Sequence, residues 1–324
     1  MYEQIVVVTR KTRLEELIQR FNSRAQAKFY IEHAGSDFSE YEREHEVYQQ
    51  ALASVKEALD EDLKIQVMDR SFVSTYLFSD RDIILVLGQD GLVANTAKYV
   101  AGQPIIAINP DPERYDGLLL PFDVPETRAI LDAVLQDQAR TRSVTLAEAV
   151  LEDGQRLLAF NDLFIGPASH VSARYRIRHE DRSEVQSSSG IIVSTGAGST
   201  GWLSSLFNMA AGMAAFGGET APRAPRLAWD DSRLAFVVRE PFKSRHSQAD
   251  LVAGLVQEGG ELILESTMPS GGVIFSDGIE KDYLAFNSGA IARIRVASQS
   301  ASLVVAGRSR RSTSRRRLQG ASAE

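Results

Sequence analysis

The chain has 324 residues and contains no cysteine. Disulfide bonds, thiolate catalysis and cysteine-based zinc sites are therefore excluded. The five histidines are scattered without metal-ligand spacing, so the sequence predicts no metal-ligating residues. Long apolar runs are also lacking: no segment approaches the length that a membrane-spanning helix needs, and the first residues carry no signal-peptide pattern. We therefore expect a cytoplasmic protein without a membrane partner.

The formal net charge of −7 is unevenly distributed along the chain. Residues 308–324 hold six Arg and one Glu, which gives them a charge of +5 and leaves −12 for the rest. An acidic body argues against general nucleic-acid binding. The basic tail has few apolar residues, so its composition predicts disorder and leaves two roles open: a solvated end, or a contact with nucleic acid or an acidic partner.

The length allows two domains, and the pattern of elements changes near residue 140. Strands and helices alternate before that point, which predicts a doubly wound, Rossmann-like α/β domain over residues 1–140 with ligands at the carboxyl ends of its strands. Its predicted strands are 4–9, 65–68, 83–87 and 102–108, and its predicted helices are 12–21, 41–59, 73–78, 92–100 and 125–138.

Short strands joined by turns follow, and they predict a mainly β domain over residues 141–307 with one helix at 203–216. The basic tail over residues 308–324 completes the division. The predicted strands of the second domain are 144–151, 155–160, 162–165, 173–178, 191–194, 234–239, 261–266, 273–276 and 290–297.

A loop of small residues over 194–201 joins a predicted strand to the predicted helix. Its glycines, Gly196, Gly198 and Gly201, let the backbone approach a ligand closely. Its hydroxyl side chains add donors and acceptors for a polar ligand such as a nucleotide: Ser194, Thr195, Ser199 and Thr200. A tight connection made of small residues is the alternative interpretation.

A second glycine loop, Gly88-Gln89-Asp90-Gly91, follows the apolar strand at 83–87. The carboxylate of Asp90 is unusual in such a loop, because phosphates repel it unless a metal intervenes or it has chemical work to do. That work is to accept a proton from a hydroxyl that attacks a phosphoryl group, so Asp90 is a candidate general base. Asp also suits a turn or a helix N-cap, and spacing alone does not decide between these roles.

Taken together, these residues resemble the NAD kinase family. Residues 88–91 match its Gly-Gly-Asp-Gly motif, Asn161 and Asp162 match its Asn-Glu pair, and residues 194–202 match its Gly-Ser-Thr loop. A late Asp-Gly pair, here Asp277 and Gly278, also fits, and the order and spacing agree over about residues 1–305. The residues at 188–190 and 201–202 are closest to the organellar branch of the family.

The resemblance implies an NAD kinase-like fold and an enzyme that phosphorylates the adenosine 2′-hydroxyl of NAD(H), giving NADP(H), with ATP as donor and Mg²⁺. Asp90 would be the general base, and Gly88 and Gly91 would let the loop backbone reach the phosphates. The implied partners are small nucleotides and further copies of the chain, in a dimer or a tetramer.

The resemblance also assigns the acceptor site to the second domain. Asn161 and Asp162 would bind the ribose hydroxyls of the dinucleotide. Thr200, Gly201 and Trp202 would hold its adenine or nicotinamide end, and Trp202 offers a ring for stacking, although a plain core role suits it equally well.

The sequence departs from the family pattern at several positions. Gln89 replaces a Gly, Leu92 replaces a Thr, and Asp162 is one methylene shorter than the usual Glu. Ser189 stands where many members have an acid that contacts the nicotinamide amide. Because Ser189 carries no charge, we expect NADH to be accepted about as well as NAD.

Three basic candidates follow Pro241, namely Lys243, Arg245 and His246. They either clamp an anionic diphosphate or form a solvated charged loop. Two other functions stay open at this stage. One is a lipid or sugar kinase of a related fold, since Gly-Asp-Gly loops occur there too, and the other is a non-catalytic regulator that binds a nucleotide.

Overall fold

The computed structural model describes residues 2–59 and 63–307, so the predicted basic tail at 308–324 lies outside the described residues. The helices are α1 (Arg13–Phe21), α2 (Arg24–His33), α3 (Ser39–Ala58), α4 (Asp90–Ala97), α5 (Thr127–Leu135) and α6 (Trp202–Phe216). The first strands are β1 (Gln4–Thr9), β2 (Lys64–Asp69), β3 (Asp82–Leu87), β4 (Pro104–Asn109), β5 (Phe122–Asp123), β6 (Thr141–Leu151), β7 (Arg156–Ala159) and β8 (Asp162–Pro167). The remaining strands are β9 (Ala173–His179), β10 (Arg182–Ser188), β11 (Ile191–Ser194), β12 (Leu234–Val238), β13 (Ala253–Val256), β14 (Leu262–Ser266), β15 (Gly272–Ser276), β16 (Ile279–Ala285) and β17 (Ile291–Val304).

A parallel core forms one half of the first sheet, in the order β4-β3-β1-β2. Strand β3 is buried along its whole length, as its unbroken apolar sequence predicts for a central parallel strand. Helix α1 packs against α2 and α3 and begins with a capping box, in which Thr12 and Glu15 satisfy each other's backbone N–H groups. These elements fix the loop after β3 at the carboxyl edge of the sheet.

The last strand, β17, pairs with strands from the first half of the chain. It pairs in parallel with β4, at Leu303 opposite Ile105, and antiparallel with β6 along most of its length. The sheet of eleven strands therefore continues across residue 140, where the sequence predicts the domain boundary.

The second sheet has six antiparallel strands in the order β13-β12-β11-β8-β15-β16. Its inner face packs on the antiparallel half of the first sheet, and side chains from both, such as Ile165 and Ile177, share one apolar cluster. Helix α6 covers part of its outer face, where Leu206 meets Ile192 and Phe164. An α/β sheet followed by an antiparallel β layer is the fold class that the sequence predicts.

Several elements differ from the sequence prediction. Helix α2 was not predicted, because only Ala27 and Ile31 of its residues are buried and its apolar pattern is weak. The helix predicted at 73–78 is instead a 3-10 turn at Arg70–Thr75, and α4 begins at Asp90 rather than at Leu92. Four short or polar strands were missed: β5, β10, β13 and β16. Strand β17 runs seven residues beyond the predicted end at 297, through an irregularity after Val296.

Candidate functional site

The loop after β3 presents Asp90 as the first residue of α4. Its Oδ1 accepts a hydrogen bond of 2.7 Å from the backbone N–H of Leu119, which holds the half-buried carboxylate in place. Its negative charge also lies at the positive end of the helix, which is a favourable position for a carboxylate. Gln89 rather than Asp90 is the N-cap of α4, and no side chain caps the helix, so the N-cap role that the sequence left open for Asp90 is not found.

The two glycines of this loop, Gly88 and Gly91, have different surroundings. A Cβ atom on Gly88 would lie 2.7 Å from Cδ2 of Leu92, so a larger residue would require that side chain to shift. Leu92 itself is buried in the core, which explains why an apolar residue replaces the family's Thr there. Gly91 is exposed, and a Cβ built on it meets no atom within 4 Å. The surface at Gly91 is therefore open to a ligand.

The loop at 194–201 is held by contacts that tolerate no larger residue. A Cβ on Gly196 would lie 1.6 Å from the carbonyl oxygen of Ala228, and one on Gly198 would lie 2.1 Å from that of Asn161. The fully buried Thr195 donates its hydroxyl to Phe160 O at 2.6 Å and accepts the Gly198 N–H at 3.2 Å.

Ser199 also stabilises the loop, since its hydroxyl donates a hydrogen bond to Gly196 O at 2.7 Å. Thr195 and Ser199, both predicted to contact a ligand, thus direct their hydroxyls into the loop itself. Thr200 and Gly201 are exposed, and the half-buried Trp202 begins α6. The residues left open to a ligand at this end are therefore Thr200, Gly201 and Trp202.

Asp277 ties the turn between β15 and β16 to the start of β8. Its carboxylate accepts hydrogen bonds from the backbone N–H groups of Phe160 at 3.0 Å, Asn161 at 2.6 Å and Asp162 at 3.4 Å. Asp277 adopts a left-handed backbone, with φ at 54°. The predicted Asn-Asp pair and the predicted late Asp-Gly turn, which are far apart in sequence, form one unit.

Two buried carboxylates and a buried lysine meet at this unit. Burial and repulsion from Asp277 raise the pKa of Asp162 to about 7. Burial also raises the pKa of Asp277, against the opposing effects of Lys98 and of the backbone N–H donors. Burial lowers the pKa of Lys98, while Asp277 and Asp282 oppose that shift. A carboxyl group with a pKa near 7 titrates within the working range of most enzymes.

Lys98 is a functional candidate that the sequence reasoning missed. It lies just after the last residue of α4, is 2% exposed, and donates from Nζ to Ser276 Oγ at 2.7 Å. Helix α4 therefore links Asp90 at its first residue to the Asp277 unit at its other end, about 12 Å away at the usual rise per residue. The one signal in the sequence was a lysine that follows seven uncharged residues, 91–97.

The two glycine loops are neighbours in the structure. Leu92 and Val93 of α4, Phe160 before β8, and Ala197 in the loop at 194–201 all belong to one apolar cluster. The fold thus brings together the predicted residues around Asp90 and those around Asp162, which come from different sheets.

A cleft of about 730 Å³ lies on the outer face of the second sheet and contains two of the predicted residues, Ser189 and Trp202. Its wall is aromatic: the ring of Phe164 stacks on Trp202 with centroids 5.9 Å apart and on Phe275 with centroids 4.8 Å apart. A cleft of this size and lining suits part of a dinucleotide.

The cleft also contains charged residues that the sequence reasoning did not select. Arg239 places its guanidinium carbon 5.6 Å from the centroid of the Trp202 ring, and Glu240 follows it in the chain. His170 and Glu280 contribute further polar groups. No motif marks these residues, because only the pairing of strands brings them to one surface.

The basic candidates after Pro241 do not line this cleft. Lys243, Arg245 and His246 are exposed, and Lys243 approaches Asp250 with Nζ 3.8 Å from Oδ1. Asp90, Gly88 and Gly91 lie apart from the cleft as well. A role for the three basic residues in diphosphate binding stays a prediction.

No family model matches the chain. A probable NADH kinase from rice, Oryza sativa subsp. japonica, is 26% identical over 221 residues, which are 60% of this chain and 63% of that protein. An NAD kinase from Thermoanaerobacter sp. strain X514 is 28% identical over 137 residues, which are 40% of this chain and 47% of that protein. The chain thus matches less than two thirds of the length of these curated relatives.

Two solved structures align with nearly the whole chain. Yeast NADH kinase complexed with NADH superposes with a TM-score of 0.57 over 95% of this chain and 84% of that one, at 15% identity. An NAD kinase from Archaeoglobus fulgidus in complex with ATP gives a TM-score of 0.54 over 93% of both chains, also at 15% identity. The chain has the NAD kinase fold. The predicted fold class and the predicted resemblance to NAD kinases are thereby confirmed.

Two further observations concern the described part of this NAD kinase fold. Over residues 2–59 and 63–307, no three His, Asp or Glu side chains lie together in a way that would hold a metal ion. Within the same residues, no helix has both the length and the apolar character to cross a membrane.

Proposed function

We propose that this protein phosphorylates the adenosine 2′-hydroxyl of NAD(H), with ATP as the donor, to give NADP(H). The observation that carries the proposal is the link between Asp90 and Asp162. Asp90 begins α4 at an open glycine loop, and Lys98 after α4 reaches the Asp277 unit that holds Asp162. A dinucleotide bound at the second position would extend towards the first, where Asp90 meets its 2′-hydroxyl and the phosphoryl donor. The solved yeast and archaeal kinases, with NADH and ATP in their respective structures, support this assignment.

Asp90 acts as the general base in this proposal. It accepts the proton of the 2′-hydroxyl as that oxygen forms a bond to the γ-phosphorus of ATP, while the bond from that phosphorus to the β,γ-bridging oxygen breaks and ADP leaves. The hydrogen bond from Leu119 holds the carboxylate in place without using its second oxygen. The open surface at Gly91 admits the phosphates.

Asp162 and Asn161 bind the ribose. An ionised carboxylate at Asp162 accepts hydrogen bonds from hydroxyl groups and orients the 2′-oxygen. Asp277 supports this arrangement by fixing the backbone of both residues. Thr200 and Gly201 lie beside them as the exposed end of the glycine loop, and the cleft with Ser189 and Trp202 receives the far end of the dinucleotide.

Magnesium enters with ATP in this proposal. Mg²⁺ in kinases is commonly held by substrate phosphates together with one or two carboxylates, rather than by a full cage of side chains. The single carboxylate of Asp90 beside an open loop fits such an ion, which neutralises charge on the phosphates when it is bound.

The charge of the cleft favours a polar acceptor over a lipid. A lipid kinase needs an apolar tunnel for its acceptor, whereas this cleft contains Arg239, Glu240 and Glu280 beside its aromatic wall. A regulator without catalysis needs no carboxylate in the loop at 88–91. These two alternatives are therefore less well supported than a dinucleotide kinase.

We also propose a homo-oligomer, a dimer or a tetramer, in the cytoplasm. Helix α6 leaves Met209, Met213 and Phe216 exposed, with Phe216 97% exposed. These exposed apolar side chains lie on one helix and form a surface that a second copy of the chain would cover. Sedimentation of the wild type and of Phe216→Ser with Met213→Ser tests this, and a wild-type monomer would contradict it.

The proposed activity is tested by offering the purified protein ATP and Mg²⁺ with NAD, NADH, a sphingoid base, diacylglycerol or a hexose as acceptor. We expect ADP to form together with NADP or NADPH, and with no other acceptor. Phosphorylation of a lipid or sugar alone would support the first alternative, and nucleotide binding without turnover would support the second.

A further inference from the structure

Glu240 lies beside Ser189 because two segments pair just before β11 and just after β12. Arg239 N donates to Gly190 O at 2.8 Å, and Ser189 N donates to Arg239 O at 2.9 Å. Phe242 N then donates to Ser187 O at 2.8 Å. Glu240 is thus held between Arg239 and Phe242, next to Ser189. The lack of charge on Ser189 is what led us to expect equal use of NAD and NADH.

The Glu240 side chain is free to meet a ligand. Both Glu240 and Ser189 line the cleft. No residue in the described ranges forms a hydrogen bond or an ion pair with the Glu240 carboxylate. Its backbone is left-handed, with φ at 49°, a conformation that glycine or asparagine adopts more readily than glutamate. Neither the backbone conformation nor a side-chain contact therefore requires a glutamate at position 240.

Arg239 brings the opposite charge to the same end of the cleft. Its guanidinium lies over Trp202, whose ring is nearly parallel to that of Phe164, with 5° between their planes. A flat ring that enters here meets an aromatic wall, one carboxylate and one guanidinium. The charge of such a ring therefore affects how tightly it binds.

We propose that Glu240 and Arg239 together set the preference between the oxidised and reduced nicotinamide rings, with opposite signs. The oxidised ring is a cation and the reduced ring is neutral, so Glu240 favours NAD and Arg239 favours NADH. This inference rests on the proposed function, because it places the nicotinamide end of the dinucleotide in the cleft. It revises the expectation drawn from Ser189 alone.

Glu280 provides an internal comparison within the same cleft. It lies on β16, while Glu240 follows β12, and β11, β8 and β15 stand between those strands. Strands β12 and β16 are therefore about 19 Å apart at the usual spacing of strands. That distance exceeds the screening length of about 8 Å at physiological salt, so one ring cannot interact strongly with both.

The test compares the ratio of kcat/KM for NAD to kcat/KM for NADH in the wild type, Glu240→Gln and Arg239→Gln. A ratio cancels losses that affect both acceptors equally. We expect Glu240→Gln to lower the ratio about two- to fivefold and Arg239→Gln to raise it by a similar factor, the range typical of exposed charges. Both shifts should shrink when the ionic strength is raised. Glu240→Asn, which suits the left-handed backbone better, is a second variant in case Glu240→Gln folds poorly.

Glu180→Gln is the matched control. Glu180 is also an exposed glutamate with a left-handed backbone, φ 52°, but it lies in the turn between β9 and β10 and does not line the cleft. Its variant should leave the ratio unchanged, and Glu280→Gln should shift it less than Glu240→Gln does.

The inference would be overturned if the Glu240 and Arg239 variants both left the ratio unchanged, or if both shifted it in the same direction. The proposed function would still stand in that case, provided that the wild type turns over NAD or NADH. An equal or larger shift in Glu280→Gln would also overturn it, since the ring would then lie at the other end of the cleft. A wild type that phosphorylates neither dinucleotide would remove the proposed function and the inference with it.

Discussion

Lys98 donates a hydrogen bond from its buried ammonium group to Ser276, 178 residues further along the chain, at 2.7 Å. The bond joins the end of α4, on the first sheet, to the end of β15, on the second. The next residue, Asp277, is a buried carboxylate whose charge interacts with that of Lys98. A single side chain therefore connects the Asp90 helix to the unit that holds Asp162.

Replacing Lys98 should destabilise the protein strongly. Lys98→Met leaves the buried Ser276 hydroxyl without its donor and removes the positive charge that interacts with Asp277, and loss of a buried hydrogen-bond partner lowers the free energy of unfolding by about 1–3 kcal/mol. Urea denaturation measures the change. Lys56→Met is the control, because Lys56 is exposed near the end of α3, and its loss should change stability by less than about 0.5 kcal/mol. Equal stabilities for the two variants would show that Lys98 does not compensate Asp277.

Asp90→Asn should abolish most of the activity and preserve the fold. The Asn side chain keeps an oxygen that accepts from Leu119 N, so the loop should retain its conformation. Removal of the base should lower kcat about 10²- to 10⁴-fold, with dinucleotide binding little changed. Steady-state rates and calorimetric titration with NAD measure both quantities. A variant with wild-type turnover would refute the catalytic role.

Asp162 should make stability fall as the pH rises. Its folded pKa of about 7 lies above the ordinary value of 3.8, so between those two pH values the folded state holds a proton that the unfolded state has released. Stability from this group is therefore complete below about pH 4 and is lost as the pH rises to about 7, with a ceiling of about 4 kcal/mol.

The measurement compares unfolding free energies of the wild type and Asp162→Asn at pH 5 and pH 8. We expect the variant to gain stability relative to the wild type as the pH rises, because Asn has no charge to bury. Asp181→Asn, at an exposed turn, should show no such trend. A constant difference between the wild type and Asp162→Asn would mean that Asp162 does not titrate in this range.

Gly196→Ala should disrupt the glycine loop. The added methyl group would overlap the carbonyl oxygen of Ala228, so the loop must move, and we expect a loss of about 2 kcal/mol or more together with weaker dinucleotide binding. Gly212→Ala is the matched control in the neighbouring helix α6, where a Cβ meets no atom within 4 Å and alanine favours the helix by about 1 kcal/mol. A melting temperature that falls for Gly212→Ala but not for Gly196→Ala would contradict this account of the loop.

The sequence predicts those features that depend on local chemistry. The capping box of Thr12 and Glu15, the buried strand β3 and the glycine loop before α6 follow from patterns within a few residues. The polar strand β10 and the four residues of β13 carry too weak a pattern, because strand pairing rather than local preference forms them.

The same distinction separates the predicted from the missed site residues. Asp90 and Asp162 were found because each lies in a short motif. Lys98 and Glu240 were missed because the residues they lie beside, Ser276 and Ser189, are distant in sequence, and only the folded chain brings them together.

The most direct test of the proposed activity is to identify the product. Purified protein is incubated with Mg²⁺, NAD and ATP labelled at the γ-phosphate, and ³¹P NMR with chromatography locates the transferred group. The account predicts a new phosphomonoester on the adenosine 2′-oxygen of NAD in the wild type, and at least about a hundredfold less in Asp90→Asn. Release of the label only as inorganic phosphate, or its transfer to another oxygen of NAD, would contradict it.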